Sequence, residues 1–140
     1  MEKTIYMIKP EGMIHKHEIR EIVESRNLVI VERKTLILPD WALDILYPDL
    51  SIELKMATLT MLASVVEIGL VEGNQAVKVL FALAGAATAP ADCDTNSIRF
   101  RFGKKDPIQF GSVMYYANVI HRPKSLIEAR RDVELFHRLP

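Results

Sequence analysis

Lys9 and His121 hold the positions from which chemistry is most readily done. Lys9 follows the apolar run from Lys3 to Ile8 and precedes Pro10 and Gly12, so it stands at the end of an expected strand. His121 closes a second apolar run, a few residues before Ser125-Leu126-Ile127-Glu128, a capping-box pattern that opens a helix. Strand ends beside helix N-termini are natural anion sites, because backbone N–H groups and the helix dipole point there. A lysine adds charge for phosphate oxygens. A histidine near neutral pH serves as a general base or as a covalent nucleophile. Taken alone, each residue has a plainer reading. A strand-end lysine is more often solvated, and a single histidine is more often structural or on the surface.

The remaining candidates carry less. His15 and His17 flank Lys16 with no third ligand in sequence, so a solvated loop is expected there rather than a metal site. His137, near the C-terminus, is expected to be exposed. Cys93 is the single cysteine, with no partner for a disulfide and nothing nearby to activate it. There is no glycine-rich phosphate loop, no Gly-x-Ser-x-Gly elbow and no CxxC pair.

The elements that must position these residues follow from pattern. After the first strand, Ile19, Ile22 and Val23 fall at helical spacing between His17 and Ser25, with Arg26 and Asn27 as a stop. Leu28 to Leu38 reads as a long strand ending before Pro39. Asp40 is expected to cap a short helix carrying Trp41, Leu43 and Leu46, and Ser51 a second one. Val65 to Val71 is a third strand. Asn74 is expected to cap a helix that stops at Gly85, followed by a loop from Ala86 to Ser97. Arg99 to Phe110 alternates weakly and contains an exposed turn at Lys104-Lys105-Asp106-Pro107. Val113 to Ile120 reads as the fourth strand, ahead of the last helix. Two βαβ halves of this kind suit a ferredoxin-like βαββαβ antiparallel sheet with helices on it, in an α/β (α+β) chain.

Composition bounds the rest. A chain of 140 residues fits a single domain, 1–140, with a real hydrophobic core. The 18 basic and 18 acidic residues balance, which argues against a nucleic-acid or membrane-surface partner. No stretch approaches the ~20 apolar residues of a membrane span. Lys9 and Glu11 interrupt any basic-then-apolar signal layout, so a cytoplasmic location is expected.

Taken in order, the segments resemble nucleoside diphosphate kinases over nearly the whole chain. Ile8-Lys9-Pro10-Glu11-Gly12 is close to the family's Lys-Pro-Asp-Gly segment, and Asn118-Val119-Ile120-His121 matches its Asn-x-x-His stretch. Thr88-Ala89-Pro90-Ala91 resembles the Thr-Asn-Pro-Ala loop, and Ser97-Ile98-Arg99 falls in register with Thr-Ile-Arg. Tyr47 lies where the family has a tyrosine in its helical hairpin. The resemblance implies a ping-pong transfer from a nucleoside triphosphate to a diphosphate through a phosphohistidine at His121. It further implies that Lys9 and Arg99 neutralise the transferring phosphoryl group, and that Thr88 and Tyr47 contact the nucleotide. Asn118 is implied to bond the sugar or phosphates, and Asp132 the other histidine nitrogen. Mg²⁺ is expected to arrive with the nucleotide, and a homo-oligomer (dimer, tetramer or hexamer) is expected from the family.

The chain also departs from that pattern. The family's arginine in the helix before Thr88 has no counterpart at Phe81 or Ala82, and Leu54 and Lys55 stand where a base-stacking aromatic belongs. Arg122 and Pro123 replace a small residue and a serine, and Arg99-Phe100-Arg101 replaces Arg-Gly-Asp. Arg101 and Arg122 are the two candidates for restoring the lost charge. A second reading is therefore a nucleotide-binding or regulatory homologue with weakened catalysis. A ferredoxin-like RNA binder fits the topology but lacks the aromatic ladder and basic face.

Overall fold

Thr4 to Ile8 are buried without interruption, which a strand covered on both faces requires. In a computed structural model describing residues 1–140, this segment is β1 (Glu2–Ile8), at the centre of the sheet. It pairs antiparallel with β3 (Val65–Gly73) from Glu2 opposite Gly73 to Ile8 opposite Glu67. On its other side it pairs antiparallel with the short β6 (Ile120–His121), Met7 lying opposite His121. The long β2 (Val29–Ile37) runs antiparallel along β3 and forms the outer edge. The order β2-β3-β1-β6 is the expected ferredoxin-like sheet.

Alternation along β1 sends side chains to two cores. Ile5 and Met7 pack with Leu43 and Leu46 of α2 (Asp40–Leu46) and with Leu135 and Phe136 of α6 (Leu126–Arg138). Tyr6 and Ile8 pack with Ile19 and Val23 of α1 (Lys16–Val23) and with Leu80 of α4 (Ala76–Ala84). The sheet is thus clamped between two helix layers, and its short edge at β6 is fixed from both sides. No helix is long and apolar enough to cross a membrane.

Two caps stand as expected. The Ser51 hydroxyl accepts from the Leu54 N–H at the start of α3 (Ile52–Met61), and the Ser125 hydroxyl accepts from the Glu128 N–H. Glu128 reaches back one residue further than a capping box requires, to the Lys124 N–H at 3.4 Å. Two other expected caps are corrected. Pro39 precedes α2 and Asp40 is its first residue, while Gln75, left-handed at φ 52°, precedes α4 in place of Asn74.

The expected strand from Val113 to Ile120 breaks in two. Its first half joins a hairpin, β4 (Ile108–Phe110) with β5 (Val113–Tyr115), turned at Gly111. Only Ile120 and His121 reach the main sheet. The stretch before the hairpin holds a short helix, α5 (Ile98–Phe102), which Ser97 caps through the Phe100 N–H.

Candidate active site

Four stretches distant in sequence meet at the ends of β1 and β6. The Lys9 N–H donates to the Val119 carbonyl at 2.8 Å, and the Val119 N–H donates to the Glu11 carboxylate at 3.1 Å. Val119 adopts φ 64°, the left-handed region that a β-branched residue rarely enters. Such strain persists only where surrounding contacts over-determine it, and here Lys9 and Glu11 hold both of its backbone groups. Gly12 makes the approach possible, because a Cβ there would meet the Val119 carbonyl oxygen at 2.8 Å. The left-handed kink ends the hairpin side of the chain and re-aims it, so that Ile120 and His121 can pair with β1.

His121 is buried, 7% exposed. Its Nε2 lies 3.1 Å from Oδ2 of Asp132 on α6. A carboxylate can only accept, so the hydrogen bond puts the proton on Nε2 and leaves the Nδ1 lone pair free. The other carboxylate oxygen accepts from Arg131 Nε at 2.8 Å, which fixes the orientation of Asp132. Burial pushes the His121 pKa below its ordinary value, and Lys9 and Arg99 push the same way. The Asp132 carboxylate opposes them without cancelling them. The imidazole is neutral at pH 7. The Tyr47 ring meets it edge-on with centroids 5.3 Å apart, and the Tyr47 hydroxyl is buried with no hydrogen-bond partner.

Three buried cations line the same cleft as this ring. Lys9 Nζ donates to Asn118 Oδ1 at 2.7 Å and more weakly to the Tyr115 hydroxyl at 3.4 Å. Arg99 donates to the Ile120 carbonyl through Nε and Nη2 and to the Ala87 carbonyl through Nη1. Arg122 donates through Nη2 to the Gly85 and Ala86 carbonyls. All three are at least 94% buried, and none forms a salt bridge with a carboxylate. Burial lowers the pKa of Lys9 to about 8 and that of Arg122 to about 10, with Arg99 adding to both by repulsion. Buried charges are normally paired. Glu11 acts on Lys9 and Glu128 on Arg122 through charge, opposing the shifts without cancelling them, and neither forms a salt bridge with them. The cluster keeps an excess of positive charge suited to an anion.

The expected residues converge, with differences in what each touches. Lys9, Tyr47, Thr88, Arg99, Asn118 and His121 line one cleft of about 610 Å³, within the range of small-ligand sites. Asp132 lies behind it. Thr88 is exposed at the rim, and its carbonyl accepts from Asn118 Nδ2 at 3.0 Å. Asn118 is therefore bonded at both ends within the protein, tying Lys9 to the Thr88 loop. Leu54 lines the cleft where an aromatic was expected, with Met114 and Tyr116 also on its wall. Arg101 is exposed and lies over the Phe102 ring, away from the cleft, whereas Arg122 lines it. His15 stacks on Phe102, and His17 and His137 are exposed. The Cys93 thiol is buried against the Ala87 carbonyl.

Sequence reasoning gave no role to Glu11 or Tyr115. Glu11 stood inside a quoted motif, and its acidity beside three cations was a usable signal. Nothing in the sequence around Tyr115 marked its contact with Lys9, which depends on how the hairpin folds over the cleft.

Comparison with known proteins gives this geometry its family. Residues 2–139 match the family described as nucleoside diphosphate kinase. A nucleoside diphosphate kinase of Streptococcus uberis is 30% identical, aligned over 97% of this chain and 94% of that protein. Among solved structures, the nucleoside diphosphate kinase of Borrelia burgdorferi superposes with a TM-score of 0.80 at 23% identity, covering 96% of this chain and 86% of that one. The Aquifex aeolicus enzyme gives 0.79 at 20% identity, covering 96% and 94%. The match over nearly the whole length, with the buried histidine and lysine at the ends of two paired strands, places the chain in the nucleoside diphosphate kinase family.

Proposed function

We propose that the chain is a nucleoside diphosphate kinase working through a phosphohistidine at His121. The observation that carries the reading is the neutral, buried imidazole whose Nε2–H is held by Asp132, while Nδ1 has no protein partner, in a cleft lined by three cations that form no salt bridge. In the first half-reaction the Nδ1 lone pair attacks the terminal phosphorus of a nucleoside triphosphate. The new N–P bond forms as the bridging P–O bond breaks, and the nucleoside diphosphate leaves with that electron pair. The ring gains positive character, which the Asp132 carboxylate stabilises through Nε2–H. In the second half-reaction an oxygen of the acceptor diphosphate attacks the same phosphorus, and the N–P pair returns to the ring. No proton need leave the histidine.

Lys9 and the Tyr47 hydroxyl supply donors for the phosphoryl oxygens, and Asn118 positions Lys9 against the Thr88 loop. Arg99 contributes charge, although three of its five N–H groups are already committed to carbonyls. Mg²⁺ enters as part of the nucleotide substrate. The exposed edge of β2, where Val29, Val31 and Ile37 are uncovered, is the surface we assign to self-association in a homo-oligomer.

A second reading, a nucleotide-binding homologue with weakened catalysis, is favoured by one observation. Leu54 stands in the cleft in place of a stacking aromatic, so base binding rests on Leu54, Met114 and Tyr116. Incubation with labelled ATP separates the two. The kinase forms an acid-labile phosphoprotein that His121→Asn abolishes, and the label passes on to GDP. ATP binding without any labelling sinks the kinase and leaves the weakened homologue.

A further inference from the structure

Arg122 is a buried cation of the cleft that lies beyond the end of β6 and has no salt-bridge partner. Its Nη2 is tied to the Gly85 and Ala86 carbonyls at 2.8 and 3.1 Å, and its guanidinium lies over the Phe81 ring at 4.3 Å. Its Nε–H is buried with no hydrogen-bond partner, and Nη1 donates to no protein group. The residue is 3% exposed and sits on the wall of the same cleft as His121 and Lys9. The ring of Phe81 on α4 acts as a platform for a guanidinium delivered from the segment that follows β6. Pro123 follows directly and is buried, which biases Arg122 to an extended backbone.

We propose that Arg122 is a phosphate-binding residue, a donor to the phosphate chain of the bound nucleotide. The proposal rests on the reading of the cleft as a nucleotide site. A guanidinium kept out of water and in salt-bridge contact with no carboxylate, Glu128 acting on it only from a distance, lacks a close counter-ion, and its unused N–H groups lack acceptors. A phosphate chain supplies both, in the planar geometry that suits a guanidinium. The plainer role, a tie for the Gly85 and Ala86 carbonyls, needs only Nη2 and leaves the other donors without purpose.

The test is ADP affinity by calorimetry, together with thermal unfolding, for the parent and Arg122→Gln. Losing the charged donor should weaken ADP binding about 10- to 100-fold, and the slope of log affinity against log salt should fall. In the parent labelled with ¹⁵N-arginine, the Arg122 Nε–H resonance, assigned by its absence in the variant, should shift on adding ADP. If Arg122→Gln does not fold, Arg122→Lys supplies the assignment and the resonance carries the test. An affinity within about twofold of the parent, or an unmoved Nε–H resonance while ADP binds, overturns the proposal and leaves the nucleotide reading intact. If the parent binds neither ADP nor ATP, the nucleotide reading itself falls and takes this one with it.

Discussion

Two buried charged clusters both adjoin β1, and they are built in opposite ways. Beside β2, the Glu67 carboxylate is 0% exposed yet fully met. It accepts from the Tyr6 hydroxyl at 2.6 Å, from Arg20 Nε at 3.0 Å and from a second Arg20 nitrogen. Burial would raise its pKa, but the hydrogen bonds of Arg20 and Tyr6 outweigh that and hold it below the ordinary carboxylate value. Gly69 lies opposite Tyr6 and makes room for its ring, since a Cβ there would sit 2.1 Å from a ring carbon. In the shallow depression beside this cluster the buried charge is thus already met within the protein. At the His121 cleft the charge is largely unspent: Lys9, Arg99 and Arg122 are all cationic, all buried and none in a salt bridge. A satisfied ion pair holds a fold together, and an unsatisfied cluster waits for a ligand.

Breaking each cluster should give opposite signatures, and this contrast is the largest effect expected. Glu67→Gln removes the charge that Arg20 and Tyr6 address and should cost about 2 kcal/mol of stability, lowering Tm by roughly 4–8 °C, with turnover little changed. Lys9→Met should reduce turnover roughly 10²–10³-fold while stability stays within about 1 kcal/mol, because an unpaired buried cation has been removed. Thermal unfolding and steady-state kinetics on the two variants check both halves. If Lys9→Met unfolds as Glu67→Gln does, the cleft is a structural cluster after all.

Asp132→Asn sharpens the comparison within the cleft. The amide can present an N–H to Nε2, which favours the tautomer with its proton on Nδ1 and removes the free lone pair. Phosphohistidine formation should slow by about 10²-fold or more, while ADP affinity, set by the cations, changes little. A rapid-quench measurement of label incorporation reads the first and calorimetry the second.

The pH profile should show the smallest effect. His121 must be neutral and has its pKa below the ordinary histidine value of 6.5, so the acid limb of kcat/KM falls below that pH. Lys9 must be charged and titrates at about 8 in the free enzyme, so kcat/KM should decline as pH rises through that value. Bound phosphate favours the ammonium, so the alkaline limb of kcat should move upward. A profile whose two limbs coincide for kcat and kcat/KM speaks against Lys9 as a phosphate contact.

How much of this was legible beforehand varies by element, for physical reasons. The strand at Lys3 to Ile8 and the helix behind Ser125 are local events, set by β-rich composition and a hydroxyl cap, and both stand close to where pattern put them. The Val113 to Ile120 strand reads as continuous because its residues favour β structure. It breaks because Glu11 captures the Val119 N–H from 108 positions away, a contact that no local pattern contains. Asp40 and Asn74 are residue types that cap helices, yet each is displaced by a neighbour in a cap position set by the chain path.

Sequence alone determined the residue types and the order along the chain of the elements that carry or flank them, and so the chemistry available at Lys9, Arg99, Asn118, His121 and Asp132. Hydrophobic periodicity and capping are local, so they survive without knowledge of the partner. Which of those side chains are bonded to the protein and which are left free was decided only in three dimensions. Asn118 is spent on Lys9 and Thr88, Arg99 on two carbonyls, while His121 keeps Nδ1 and Arg122 keeps its Nε–H. Hydrogen bonding is a matter of ångströms between groups distant in sequence. The folded sheet sets those distances.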